Sequence, residues 1–114
     1  MARSKIQIAK AGQTVEALED EEWEGEHGST IHAGYRSTVT SSGTVHCGDG
    51  SMVFGRSRAH LIGLRGCTFY AEANCTFEAF PFSNGFAETG SSGVVHKNAN
   101  VKNRGGKITP AANK

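Results

Sequence analysis

Proline is nearly missing from this chain, with 2 residues in 114, and there is a single tryptophan. No apolar run approaches the length needed to span a bilayer, so no membrane segment is expected. Neither charge sign dominates: Lys and Arg number 12, Asp and Glu 11. A net charge of +1 leaves no global electrostatic footprint for nucleic acid or a membrane surface, and neither is expected as a partner. Cysteine is scarce and odd in number, at 3, which argues against a disulfide framework. The opening stretch, MARSKIQIAKAGQ, lacks the apolar core of a signal peptide. A cytoplasmic or virion-associated product is therefore expected. Good helix-forming segments are few.

Glycine is plentiful, at 15, and Thr, Ser and Asn are common. That composition favours β structure with many tight turns. The stretch 66–80, GCTFYAEANCTFEAF, repeats CTF-x-A eight residues apart. With Phe69 and Phe77 as anchors, steps of eight reach Leu61, Val53 and Val45 backwards and Gly85, Gly93 and Val101 forwards. Small residues flank each anchor two positions away, among them Cys67, Ala71, Cys75, Ala79, Ser83 and Ala87. After a six-residue slip from Val39 to Val45, the same motif continues upstream through Ile31, Trp23 and Val15. Gln13, Glu21 and Asn103 are polar flanks near the two ends, where a stacked core frays into solvent. At Gly85 and Gly93 the large residues, Phe86 and Val94, come one position late, which admits a local change of register.

Period-two alternation puts each anchor and its flanks on one face of a short strand. The other three residues of each octad are turn-like, as in Gly48-Asp49-Gly50 or Arg104-Gly105-Gly106. One octad cannot bury its own apolar face, but stacked copies can. The reading is an all-β protein: a β-solenoid (β-helix) of about six two-sided coils over residues 13–106, roughly 29 Å long. Residues 1–12 form an N-terminal arm or cap and 107–114 a C-terminal tail. Three chains winding around one axis would satisfy the same spacing and make an obligate trimer.

The units STIHAGYR (29–36) and STVTSSGTVHCGDG (37–50) resemble the tandem octads ATVxAxGS of bacterial, notably actinobacterial, repeat proteins. The pairs Val53-x-Gly55 and Leu61-x-Gly63 are similar to octads in the β-helical needles of phage and contractile-tail spikes. The resemblance implies a β-helical rod and carries over no catalytic residue. The aromatic anchors Phe69 and Phe77 depart from the spike pattern, which favours a single-chain solenoid.

The cysteines sit in slots that serine or alanine fills elsewhere, so they read as small packing residues. Cys67 and Cys75 lie on opposite walls of a coil, where a disulfide across the thin core is the alternative. His32 and His46 share an outward column, with His60 on the next one. They read as solvated histidines, not as a metal site or pH sensor. Glu16 and Glu78 share a column but lie four coils apart, too far for a glycosidase pair. Thr14, Thr30, Thr44, Thr76 and Ser92 form one column, while Thr38-Val39-Thr40 falls on the other face, so the paired ranks of an ice-binding surface are missing. No nucleophile–base pair or phosphate loop is recognisable. No enzyme, metal or cofactor is expected.

Alternating octads between faces stacks Phe54, Tyr70 and Phe86 on one wall, sixteen residues apart, with Met52 beside them. Such a ladder stabilises a sheet, or marks a contact face for a protein partner or another copy. Phe80-Pro81-Phe82 adds an apolar corner. Charge is segregated along the chain: residues 16–26 hold seven acids, including Glu22 and Glu24, and no base. After Glu88 come Lys97, Lys102, Arg104, Lys107 and Lys114 with no acid. Solvated caps explain this, and head-to-tail stacking is the sharper alternative. The expected function is a non-enzymatic structural or interaction module, as in a phage or virion component or a self-assembling scaffold. Its binding residues would be Phe54, Tyr70, Phe86 and Met52. The alternative is a small phage-encoded inhibitor of host defence, with Glu22 and Glu24 competing for a basic groove.

Overall fold

The structure, a computed structural model, describes residues 6–110. In chain order the strands are β1 (Ile6–Ala9), β2 (Thr14–Ala17), β3 (Glu22–Gly25), β4 (Thr30–Ala33), β5 (Thr38–Ser41), β6 (Thr44–Cys47) and β7 (Met52–Gly55). There follow β8 (His60–Gly63), β9 (Thr68–Ala71), β10 (Thr76–Ala79), β11 (Asn84–Glu88), β12 (Ser92–Val95), β13 (Asn100–Arg104) and β14 (Lys107–Pro110). Odd strands pair in order into one seven-stranded parallel wall, here sheet A, and even strands into another, sheet B. The described residues thus form a two-sided β-solenoid of seven coils that closes its core within one chain.

Alternation dictates the burial. In β5, β6 and β9 the second and fourth residues are buried and the others face outward. Val39, Val53 and Phe69 from sheet A meet Ile31, Val45, Leu61 and Phe77 from sheet B in a buried centre. Small residues at the strand ends and corners thin the core towards its edges. Six of these are buried serines: Ser29, Ser37, Ser41, Ser51, Ser83 and Ser91. In all but Ser41 the hydroxyl donates to the carbonyl three residues back, at 2.6–2.7 Å. A polar atom in a dry core is thereby satisfied locally.

The same spacing builds the corners. In most of them the amide N–H at the serine slot bonds to that carbonyl, as in Ser37 to Gly34 and Cys67 to Leu64. The residue just before the slot has positive φ, the requirement of a type II turn. Glycine meets it without cost at Gly28, Gly50 and Gly66, among others. Arg36, Arg58 and Phe82 hold the same conformation against their Cβ atoms.

Two irregularities shift the period. Between β5 and β6 the corner shrinks to Ser42-Gly43, where the Gly43 amide donates to the Ser41 hydroxyl at 2.8 Å. A Cβ on Gly43 would collide with backbone oxygens of Glu26 and Ser29, so only glycine fits. Near the C-terminus, Gly105-Gly106 shortens the last corner and brings Ile108 beside Gly93.

The periodicity outlines six coils, and the structure has seven. The strand repeat runs past 13–106 at both ends, into the expected arm and tail. β1 escapes the octad because its pattern is inverted: Ile6 and Ile8 are 61 % and 52 % exposed, while Gln7 takes the anchor register beside Trp23. β14 escapes because the short corner breaks the eight-residue step. No register change occurs at the glycine anchors. Gly85 pairs with Phe69, Gly93 with Phe77, and Phe86 stays outward beside Tyr70. Any Cβ at Gly85 or Gly93 would strike the neighbouring phenylalanine ring. The two large rings fill the space that the two glycines leave.

Candidate interaction face

The outward side of sheet A carries two columns. The middle one runs Ile8, Glu24, Thr40, Phe54, Tyr70, Phe86 and Lys102, each beside the next in parallel register. In-register parallel strands repeat every ~4.8 Å, close to the stacking distance of aromatic rings. The rings accordingly stack face on face. Phe54 and Tyr70 have centroids 5.0 Å apart at 7°, and Tyr70 and Phe86 4.7 Å apart at 5°. The Arg104 guanidinium lies 5.2 Å over the Phe86 ring and pairs with Glu88 at 3.5 Å, closing that end of the ladder. Met52 stands beside Phe54 in the second column and is 42 % exposed.

Glu22 and Glu24 belong to the same outward surface: Glu22 in the column of Met52, Glu24 in that of Phe54. The six candidate residues from the sequence thus share one face. What the sequence did not reveal is a step between acids and rings. Thr38 and Thr40 are short, and with Ile6, Glu22, Trp23, Glu24 and Arg56 they line a notch of about 180 Å3. Arg56 bridges to Glu24 at 3.4 Å across its rim. The face therefore reads, from one end to the other: exposed isoleucines, acids, notch, aromatic ladder, cations.

The remaining acids of 16–26 are distributed around the coils rather than gathered. Glu16 faces out from sheet B, and Glu19, Asp20 and Glu21 lie in the corner after β2. Glu21 accepts hydrogen bonds from the Trp23 indole at 3.0 Å and the Leu18 amide at 2.8 Å, which hold its carboxyl below the usual range.

Sheet B carries the histidines. His32 and His46 stack at 4.5 Å and 12°, and His60 contacts the Thr76 hydroxyl at 2.7 Å. Burial, then the neighbouring His32 and His60, pushes His46 below its ordinary value of 6.5. His96, in the corner after β12, pairs with Glu78 of β10 at 2.7 Å and stacks on Phe80 in the corner after β10 at 4.5 Å, contacts between successive coils that the octad count did not reveal. Phe82 stands on the same edge under Arg65, so the 80–82 corner does not extend the ladder face. Glu16 and Glu78 are separated by four strand steps in sheet B, roughly 19 Å. No cluster of three or more metal-ligating side chains occurs among the described residues.

All three cysteines are free and buried. Cys67 and Cys75 occupy corners on opposite edges of the coil, and the thiol beside Cys67 is that of Cys47. Burial pushes Cys47 upward, which keeps it a protonated packing residue. The Cys75 thiol donates to the Arg56 carbonyl of the preceding coil at 2.6 Å.

Fold and face together define a class: a single-chain, two-sided parallel β-solenoid with one aromatic-laddered wall. Comparison with known protein families, curated proteins and solved structures finds no match for this chain.

Proposed function

We propose that the chain is a non-enzymatic β-solenoid interaction module that binds another protein surface through the outward wall of sheet A. The observation that carries this reading is the in-register stack of Phe54, Tyr70 and Phe86 on a flat wall, with Met52 beside it. Contiguous exposed apolar area rimmed by charge is the ordinary signature of a contact face. Sheet B offers no comparable stripe, because its middle column mixes Glu16, His32, His46, Ile62, Glu78, Val94 and Thr109. A rigid rod with one such wall suits a virion component or a self-assembling scaffold.

The inhibitor reading draws on the acid density of 16–26. It is the weaker one, because those acids wind from sheet B around a corner onto sheet A, about two-thirds of one turn, instead of forming the strip that a basic groove would accept.

Hydroxyl-radical footprinting tests the proposal. The protein in its native assembly is compared with a dilute purified sample. Met52, Phe54, Tyr70 and Phe86 are expected to be protected in the assembly, while His32 and His46 on the opposite wall are labelled equally in both. Equal labelling of the aromatic wall in both samples would rule the face out.

A further inference from the structure

The face is complementary to itself when reversed. We propose that its partner is a second copy of this chain, docked wall to wall with the two rods antiparallel. The inference rests on the reading of sheet A as the contact face and adds the identity and register of the occupant.

Two sheets that meet face to face are related by a two-fold axis lying in the plane of contact. If that axis runs along the rods, each coil meets its own equivalent. Glu22 and Glu24 then oppose the same acids of the second copy, and like charges placed opposite each other repel. If it runs along the strands, the rods reverse and each coil meets one from the other end. Position along the strand is conserved by this rotation, so the ladder column of one copy lies over the ladder column of the other.

One register then pairs every group of the column from Glu24 to Lys102 and leaves Ile8 beyond the other copy's last strand. With the axis midway between β7 and β9, Phe54 faces Tyr70 of the second copy, and Tyr70 faces its Phe54. Thr40 faces Phe86 of the second copy, so the notch receives the ring that ends the ladder. Glu24 faces Lys102 of the second copy. Each pairing occurs twice by symmetry. Moving the axis onto β7 sets Glu24 against Phe86, and moving it onto β9 leaves Glu24 beyond the last strand of sheet A. In this register the overlap spans β3 to β13, five strand spacings by four residues, roughly 24 by 13 Å, or about 300 Å2 of wall per copy. That is small for a stable dimer and suits a reversible one in the micromolar range.

Sedimentation velocity of the full chain from about 5 to 500 μM tests this, with circular dichroism confirming the fold of each variant. A monomer–dimer equilibrium is expected. Lys102→Glu alone and Glu24→Lys alone should each weaken dimerisation at least tenfold. The double variant Glu24→Lys/Lys102→Glu should restore it to within a few-fold of the parent. A parent that stays monomeric throughout overturns the second copy as occupant but leaves the footprinting test of the face standing. A dimer indifferent to Tyr70→Ser overturns both. A dimer lost with Tyr70→Ser but indifferent to either charge reversal overturns the register. Growth beyond the dimer, into filaments, overturns the closed two-fold arrangement.

Discussion

Replacing Gly85 by valine restores a β-branched anchor to the octad and is nevertheless expected to destabilise the protein. The reason lies one coil away. A Cβ at Gly85 would come within 2.6–2.7 Å of the Cε atoms of Phe69 and closer still to its Cζ. The ring is hemmed in on the other wall as well, since a Cβ at Gly63 would meet it at 2.7 Å. With no room to retreat, Gly85→Val should cost about 1–3 kcal/mol as overpacking. Phe69→Val alone empties the space between the walls and should cost about 2–3 kcal/mol, somewhat less than a full truncation to alanine. The double variant trades about seven side-chain carbons for about six and should lose less than about 1.5 kcal/mol. It would also give sheet A an unbroken valine column from Val39 to Val101. The expected coupling between the sites is about 2–3 kcal/mol. Thermal unfolding followed by circular dichroism resolves this, since about 1 kcal/mol moves the midpoint by roughly 4 °C in a domain of this size. A double variant that melts as low as the two single losses combined would refute the account of Phe69 and Gly85 as one packing unit.

Arg36 spends backbone strain at a corner, with φ of 61°, and its ion pair to Asp20 is exposed on both sides. Arg36→Gly should therefore raise stability by up to about 1 kcal/mol, since relieved strain of about 1–2 kcal/mol exceeds the entropy cost of glycine and the small worth of a surface pair. Gly28→Ala, at φ of 94°, should lower it by about 1 kcal/mol in the same thermal unfolding measurement. His46, held below its ordinary value, favours the neutral form in the folded state. The unfolded chain then binds more protons, so the contribution is present above pH 6.5 and is lost as pH falls through the folded value. Stability should drop as pH falls below 6.5, and His46→Gln should flatten that slope.

The two-sided solenoid was legible in the sequence because its unit is local. Five residues decide which side chains face inward, three decide the corner, and a fixed period repeats the decision. That is why Phe54, Tyr70 and Phe86 could be placed in one column, and why Ser29 and Cys67 could be seen as occupants of the same kind of slot. The outermost coils were not legible, because end coils have one neighbour instead of two and so tolerate Gln7 in an anchor register and Ile6 outside. The glycine anchors were misleading for a related reason. Gly85 looks like a lost residue within its own octad, and only the ring of Phe69 in the adjacent coil gives it a purpose. The pairing of Cys47 with Cys67, the His96 contacts with Glu78 and Phe80, and the notch between Glu24 and Phe54 likewise depend on distances across coils and around corners. Period-two alternation along a strand is a property of the sequence by itself. Volume and charge shared between strands sixteen residues apart belong to the tertiary structure, because only stacking brings those strands to ~4.8 Å.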